Sequence, residues 1–226
     1  MTSTKEEIRA LDAQRDLKIC GRYLEGPETS RFAADGAHEP TATPYFVLEA
    51  IFPRLGLSEE SCLLDVGCGM GRALAFFADA GLPGRATGIE LDPAIASQTA
   101  EWTAAFENLE ALQGNALDIP FAPYSHFYLF NPFDNRILLE FISKVEAETT
   151  APIVVAHMSD NGETYSYLGR DGWTLQEHGE FQDAPSLPGP RRFYEHPQHY
   201  SIWRFSGQID DADRSRDEEH ARTNVQ

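Results

Sequence analysis

The residues best suited to chemistry are an acid and three glycines in the segment LLDVGCGMG at 63–71. Asp65 is followed by Gly67, Gly69 and Gly71, and the next apolar run ends in a second acid, Glu90. Glycines let the backbone approach a ligand because they lack a Cβ, and a carboxylate after the next strand can accept both hydroxyls of a ribose. This pattern predicts a nucleotide site at the edge of a parallel sheet.

The spacing of the glycines narrows the kind of nucleotide. A dinucleotide fingerprint has the spacing G-x-G-x-x-G, whereas here the third glycine comes one residue early and Arg72 takes the reserved place. The sequence also contains no G-x-x-x-x-G-K-[ST] phosphate loop. Both departures count against a nicotinamide oxidoreductase, which stays an alternative class on a similar sheet.

The segments D-x-G-x-G-x-G and GIELDP resemble motifs I and II of the class I S-adenosylmethionine-dependent methyltransferases. The resemblance extends from about Glu39 to Phe205. It implies a Rossmann-like, doubly wound α/β fold with a seven-stranded sheet that ends in an antiparallel hairpin. It also implies S-adenosyl-L-methionine (S-adenosylmethionine) as the cofactor.

The resemblance assigns roles to the residues of these two motifs. The backbone of Gly67 and Gly69 would line the amino-acid part of the cofactor, and Asp65 would attract its ammonium group. Glu90 would take the ribose hydroxyls, with Leu91 beside the adenine ring.

A third segment, QGNALD, matches the family position that recognises the adenine amino group. Asn115 and Ala116 stand there, with Asn in place of the usual Asp. Two alternatives remain open: Asn115 caps a loop, or Asp118 makes the adenine contact instead.

The order of the elements supports the same fold independently of the motifs. From Cys62 onward, short apolar runs alternate with helical segments, a pattern typical of a parallel doubly wound sheet. Segments 173–181 and 199–205 are predicted strands without a helix between them, so we expect a closing hairpin. Ligands bind beyond the carboxyl ends of such strands. Polar side chains follow five successive apolar runs: Asp65, Glu90, Asn115, Asn131 and His157.

The segment YLFNPFDN, at the end of the fourth predicted strand, resembles motif IV of amine methyltransferases, [DNS]-P-P-[FY], with one proline fewer. It also resembles the N-N-F segment of the non-SET lysine methyltransferases and, more closely, F-N-P-F in a bacterial group of methyltransferases. The resemblance makes Asn131 the group that holds the target amine beside the cofactor, and Phe133 the ring that stabilises a cation there. The alternative is a plain turn into a helix, with Asp134 or Asn131 as its N-cap.

An oxygen acceptor, unlike a free amine, would need a general base. His157 is the candidate, with a structural hydrogen bond as the alternative reading. The histidines show no metal-ligand spacing, so we expect no metal.

We therefore predict an S-adenosylmethionine-dependent methyltransferase that acts on the nitrogen of a protein lysine or a small-molecule amine. The alternatives are a small-molecule O-methyltransferase and a non-catalytic nucleotide-binding interaction module. We expect an N-terminal helix and lid loop over 1–43, the methyltransferase domain over 44–206 and a disordered acidic tail over 207–226. The sequence gives no indication of the oligomeric state.

Composition constrains the partners. A formal net charge of −18 in 226 residues disfavours nucleic acid, whose binding normally requires a basic patch. No apolar run approaches the roughly 20 residues of a membrane span, and the N-terminus lacks the apolar core of a secretory signal. Three cysteines without a C-x-x-C pair favour reduced thiols and a cytoplasmic location.

Overall fold

The structure, a computed structural model, describes residues 4–27, 29–158, 163–184 and 192–207. One sheet contains seven strands: β1 (Cys62–Val66), β2 (Arg85–Glu90), β3 (Leu109–Gln113), β4 (His126–Phe130), β5 (Ile153–Met158), β6 (Trp173–Phe181) and β7 (Gln198–Phe205). Their order across the sheet is β3-β2-β1-β4-β5-β7-β6. Strand order reverses at β1, where β2 lies on one side and β4 on the other, and ligands bind at such switch points.

The first five strands run parallel, and β7 inserts antiparallel between β5 and β6. The predicted fold class, a doubly wound α/β sheet closed by an antiparallel hairpin, is therefore confirmed.

In the part of the chain that the structure describes, five α-helices accompany the sheet: α1 (Thr4–Cys20), α2 (Tyr45–Ile51), α3 (Arg72–Asp79), α4 (Pro93–Thr103) and α5 (Asn135–Glu148). Asp92 caps α4 by accepting from the amide of Ala94, and Pro93 suits the first helical position because its missing N–H has no partner there. Asp134 caps α5 in the same way. Helices begin directly after the strands, so strand ends and helix N-termini gather at one edge of the sheet.

Two apolar clusters cover the two faces of the sheet. Helices α1 to α4 pack on one face, and α5 packs on the other together with Trp173, Trp203 and Phe205 of the C-terminal hairpin. Helix α1 buries Ile8, whereas Leu11, three residues further on, is 48% exposed. Asp12 and Asp16 are buried instead, because they meet a cation of α3.

None of the helices in the described residues combines the length and the apolar character that a membrane span requires. The proposed tail over 207–226 lies outside the described residues, apart from Gly207.

Candidate active site

A cavity of about 470 Å³ lies at the carboxyl ends of β1, β2 and β4. Its floor is the glycine segment after β1, and its cover is the loop between α1 and α2, over residues 29–43, which we call the cover loop. Eight of the residues predicted for the site line it: Asp65, Gly67, Gly69, Glu90, Leu91, Asn115, Ala116 and Phe133. Asn131 and His157 are not among its described lining residues.

The glycine segment has the conformation that only glycine adopts easily. Gly67, Gly69 and Gly71 have φ angles of +72°, +54° and +85°. A Cβ on Gly67 would lie 2.6 Å from Cβ of Pro132, so the first glycine also permits close contact with the segment after β4. Helix α4 fixes the loop from behind, since Thr99 Oγ1 donates to the carbonyl of Gly69 at 2.8 Å.

Glu90 holds the same loop from the side of β2. Its Oε2 accepts from the amide of Gly69 at 2.9 Å, and its Oε1 accepts from the amide of Asp92 at 2.8 Å. Burial raises the pKa of Glu90, while these backbone donors oppose that rise. Each carboxylate oxygen can accept more than one hydrogen bond, so both retain capacity for ribose hydroxyls.

Asp65 is the unusual acid of the cavity. It is only 4% exposed, and no described residue donates a hydrogen bond to its side chain. Burial, and then the nearby charge of Glu90, raise the pKa of Asp65 to about 8. A buried carboxylate without a partner suits a cationic ligand, and S-adenosylmethionine brings both a sulfonium and an ammonium group. The residues present therefore fit this cofactor.

Asn115 caps a turn, which is one of the two alternatives that the sequence left open for it. Its Oδ1 accepts from the amide of Leu117 at 3.0 Å and caps the short 3₁₀ turn Ala116–Asp118. The residue still lines the cavity, so its amide lies close to the expected adenine position. Asp118 is not among the described lining residues.

The NPF segment (Asn131–Phe133) contains a strained backbone conformation and a buried polar atom without a hydrogen-bond partner. Asn131 has a φ of +43°, the one positive value among described residues other than glycine. Its Oδ1 is buried and has no hydrogen-bond partner, whereas Asp134 is the N-cap of α5 through a bond of 2.9 Å from Ile137 N. Phe133 lines the cavity and packs against Phe141 at a centroid distance of 6.2 Å.

His157 lies away from the cavity, in the apolar cluster on the α5 face of the sheet. It is 2% exposed, its Nδ1 lies 3.2 Å from the hydroxyl of Tyr167, and burial lowers its pKa to about 4. The structure thus places His157 in a structural hydrogen bond and does not bring it to the other candidate residues.

The cover loop supplies two residues, His38 and Arg31, to which the sequence pattern assigned no role. His38 donates from its backbone amide to the carbonyl of Pro132 at 3.0 Å, and its Nδ1 lies 2.9 Å from the carbonyl oxygen of Asn131. Arg31 binds Asp92 through both nitrogens of its guanidinium fork, with Nε at 2.8 Å. These partners are 61 to 94 residues away in the chain, so no local pattern indicates them.

A buried ion cluster lies behind the glycine loop. Arg72 is 4% exposed and binds both carboxylate oxygens of Asp16, which is 0% exposed. Tyr45 also donates to Asp16, and Asp12 lies 3.6 Å from the guanidinium. One signal could have predicted this cluster, because two acids spaced by four residues lie on the same helix face as Ile8.

Comparisons with known proteins agree with this geometry. Residues 63–142 match the model of a family described as a methyltransferase domain. No curated protein matches the chain in sequence.

Solved structures share the fold at low sequence identity. An RNA methyltransferase from Salinibacter ruber, crystallised with S-adenosyl-L-homocysteine, is 17% identical, with a TM-score of 0.53 over 76% of this chain and 97% of that one. A precorrin-6y C5,15-methyltransferase from Geobacter metallireducens is 15% identical, with a TM-score of 0.53 over 74% and 90%. A SAM-dependent methyltransferase from Aquifex aeolicus is 13% identical, with a TM-score of 0.52 over 90% and 100%.

Residues 63–142 therefore form a methyltransferase domain, and together with the fold they indicate an S-adenosylmethionine-dependent methyltransferase. S-adenosylmethionine is accordingly its cofactor.

Proposed function

We propose that this methyltransferase acts on the nitrogen of a cationic amine, either a lysine side chain of a protein or a small-molecule amine. The observation that carries the proposal is the charge of the cavity. Six acids line it: Asp35, Glu39, Asp65, Glu90, Asp92 and Glu140.

The cavity also has three arginines, and each already binds a carboxylate. Arg31 pairs with Asp92, Arg72 with the buried Asp16, and Arg136 with Glu140. Among the described residues, none supplies a cation to Asp35, Glu39 or Asp65. Because an excess of anions favours positive ligands, the cavity suits a cationic cofactor and a cationic acceptor together.

Within the cavity, we assign the cofactor to the side of the glycine loop. Glu90 would take the ribose hydroxyls, and Asp65 would meet the ammonium group. The backbone of Gly67 and Gly69 would line the amino-acid part. Leu91, Ala116 and Asn115 border the opposite end, where the adenine would lie.

Asn131 and Phe133 would serve the acceptor. A buried amide oxygen without a partner costs about 1–3 kcal/mol, and an N–H of the bound amine would satisfy it. Because this oxygen is covered, its access requires movement of the NPF segment or the cover loop. Phe133 offers a ring face at the cavity wall, which favours a nearby cation.

A nucleic-acid acceptor is the main competing class, since an RNA methyltransferase is among the similar structures. The net charge of −18 and the unpaired acids of the cavity argue against a phosphate backbone.

We also propose that the cover loop acts as a lid over both ligands. The described cysteines are free thiols, which supports a cytoplasmic location.

The test is incubation of the full chain with tritium-labelled S-adenosylmethionine and heat-treated protein, RNA and metabolite fractions of a lysate. We expect label in protein or metabolites that survives alkaline hydrolysis, because N-methyl groups are stable there and carboxyl methyl esters are not. Label that ribonuclease releases, or label lost as methanol, would contradict amine methylation.

Asn131→Gly is the matched variant, because glycine adopts the φ of +43° without strain and only the amide is lost. We expect transfer to fall about 10²-fold while the dissociation constant for S-adenosylmethionine is nearly unchanged. An equal loss of both would mean that Asn131 only shapes the loop.

A further inference from the structure

His38 is hydrogen-bonded to two backbone carbonyls of the NPF segment, which the resemblance assigns to binding of the target amine. Its backbone amide donates to the carbonyl of Pro132 at 3.0 Å, and its ring contacts the carbonyl of Asn131 at 2.9 Å. One lone pair of each carbonyl is therefore already used. A histidine thus lies at the acceptor end of the cavity, which it also lines.

The contact with Asn131 fixes the tautomer of His38. A carbonyl oxygen only accepts, so Nδ1 must carry a proton and donate it. In the neutral ring Nε2 is then unprotonated and holds a lone pair. No described residue makes a hydrogen bond to Nε2, so this lone pair is free for a ligand.

An amine in this cavity has a proton to lose before it can react. A lysine-type ammonium has a reference pKa of about 10.4, and the carboxylates of Asp35 and Glu39, which pair with no cation of the described residues, favour the charged form further. The negative charge of the cavity attracts the amine, but it also stabilises the protonated form of that amine. In this form the nitrogen has no lone pair with which to attack the methyl group. Asp35 and Glu39 are exposed to water, whereas His38 is half-buried and bonded to the NPF segment.

We propose that His38 is the general base of the reaction and that the cover loop delivers it to the acceptor. The proposal rests on amine methylation as the function. The N–H bond of the ammonium breaks, its proton passes to Nε2, and its electron pair forms the bond to the methyl carbon. S-adenosylmethionine supplies that methyl group, and the electron pair of the broken carbon–sulfur bond stays on sulfur. The proton then passes from Nε2 to water when the loop opens.

The first test measures the tautomer directly and needs no acceptor. We would record ¹⁵N NMR of imidazole nitrogens in the full chain saturated with S-adenosyl-L-homocysteine, and assign His38 from the spectrum of a His38→Asn variant. We expect a neutral ring protonated on Nδ1. A ring protonated on Nε2 would overturn the proposal, whatever the acceptor proves to be.

The second test separates base catalysis from fastening of the loop. His38→Asn keeps a side-chain N–H donor near the position of Nδ1 and removes Nε2. We expect tritium transfer to the labelled lysate fraction to fall about 10²-fold or more. The dissociation constant for S-adenosyl-L-homocysteine should stay within about threefold. In His38→Ala, added imidazole should restore part of the transfer.

His178→Gln is the matched control, because His178 is exposed on β6, at the far edge of the sheet. It should transfer as the unchanged chain does. Transfer by His38→Asn within about threefold of the unchanged chain would overturn the proposal, as would a loss of ligand affinity equal to the loss of transfer. If the unchanged chain labels no fraction, the proposed function fails and the role of His38 as base fails with it, whereas a ring protonated on Nε2 in a chain that does methylate amines overturns the role of His38 alone.

Discussion

The two halves of the cavity are held in different ways. In the half that we propose for the cofactor, which we call the donor half, buried bonds from Glu90 and from Thr99 of α4 fix the glycine loop. The buried Arg72–Asp16 pair joins α1 to the helix that follows this loop. In the half that we propose for the methyl acceptor, which we call the acceptor half, the cover loop contacts the NPF segment and Asp92 through half-buried or exposed contacts.

This difference suits methyl transfer. A donor site that is built rigidly can orient the reactive carbon, and orientation supplies up to about 7–11 kcal/mol in well-aligned systems. An acceptor site covered by a loop can open to admit substrate and then exclude water. Four sets of variants test this difference between the two halves.

The largest effect is expected for the ion cluster behind the glycine loop. Arg72→Met leaves the buried Asp16 and Asp12 without their cation, so the free energy of unfolding should fall by about 3–5 kcal/mol. Urea denaturation at neutral pH measures it. Arg136→Met, which breaks an exposed pair with Glu140, is the control and should cost far less. Equal losses would mean that α1 does not stabilise the donor half.

The next effect compares two glycines of one loop. Gly67→Ala places a Cβ 2.6 Å from Pro132 as well as forcing an alanine to φ +72°, so unfolding free energy should fall by about 2–4 kcal/mol. Gly69→Ala has the same kind of strain, but its nearest atom is Pro40 Cβ at 3.7 Å, so about 1–2 kcal/mol is expected. If Gly69→Ala proved the more costly in thermal or urea unfolding, the described contact between the halves would be incorrect.

Because of Asp65, the free energy of unfolding of the ligand-free chain should depend on pH. Its pKa is raised from 3.8 to about 8, so the folded ligand-free chain binds the proton more tightly than the unfolded chain. Its contribution to stability is therefore complete below about pH 4 and is lost as the pH rises through about 8, by up to about 1.4 kcal/mol per unit.

Asp65→Asn removes this dependence of the unfolding free energy on pH. Relative to the unchanged chain, the variant should gain unfolding free energy between pH 5 and about 8 and bind S-adenosylmethionine more weakly. Urea titrations at several pH values, with and without cofactor, measure both quantities. A constant difference between the two chains across this range would show that Asp65 does not titrate as described.

The smallest effect is expected at the edge of the cover loop. Arg31 is exposed, so Arg31→Met should raise the dissociation constant for S-adenosyl-L-homocysteine by less than about fivefold. The difference should shrink in high salt, because salt screens exposed pairs. A large loss that salt leaves unchanged would show that the cover loop is as firmly built as the donor half.

The same contrast explains what could be predicted from the sequence. The parallel sheet with its closing hairpin and the lining residues Asp65, Gly67 and Glu90 follow from apolar runs and glycine spacing, since consecutive elements create that half of the cavity. His38 and Arg31 depend on contacts between distant segments, which local patterns do not encode.

His157 shows the limit of reasoning from strand ends. It does follow an apolar run, but the side chain of a strand residue points to one face or the other, and this one points into the core with Tyr167. Asn115 shows a related limit, because its amide oxygen satisfies a local backbone donor before any ligand is considered.

Our main claim is that S-adenosylmethionine binds across β1 and β2 with Glu90 at its ribose. Isothermal titration calorimetry measures the binding of S-adenosylmethionine to the unchanged chain and to Glu90→Gln, with Glu101→Gln on the exposed side of α4 as control. We expect one molecule bound per chain and a loss of about 10²-fold in affinity for Glu90→Gln alone. No binding by the unchanged chain, or equal binding by Glu90→Gln, would contradict the claim.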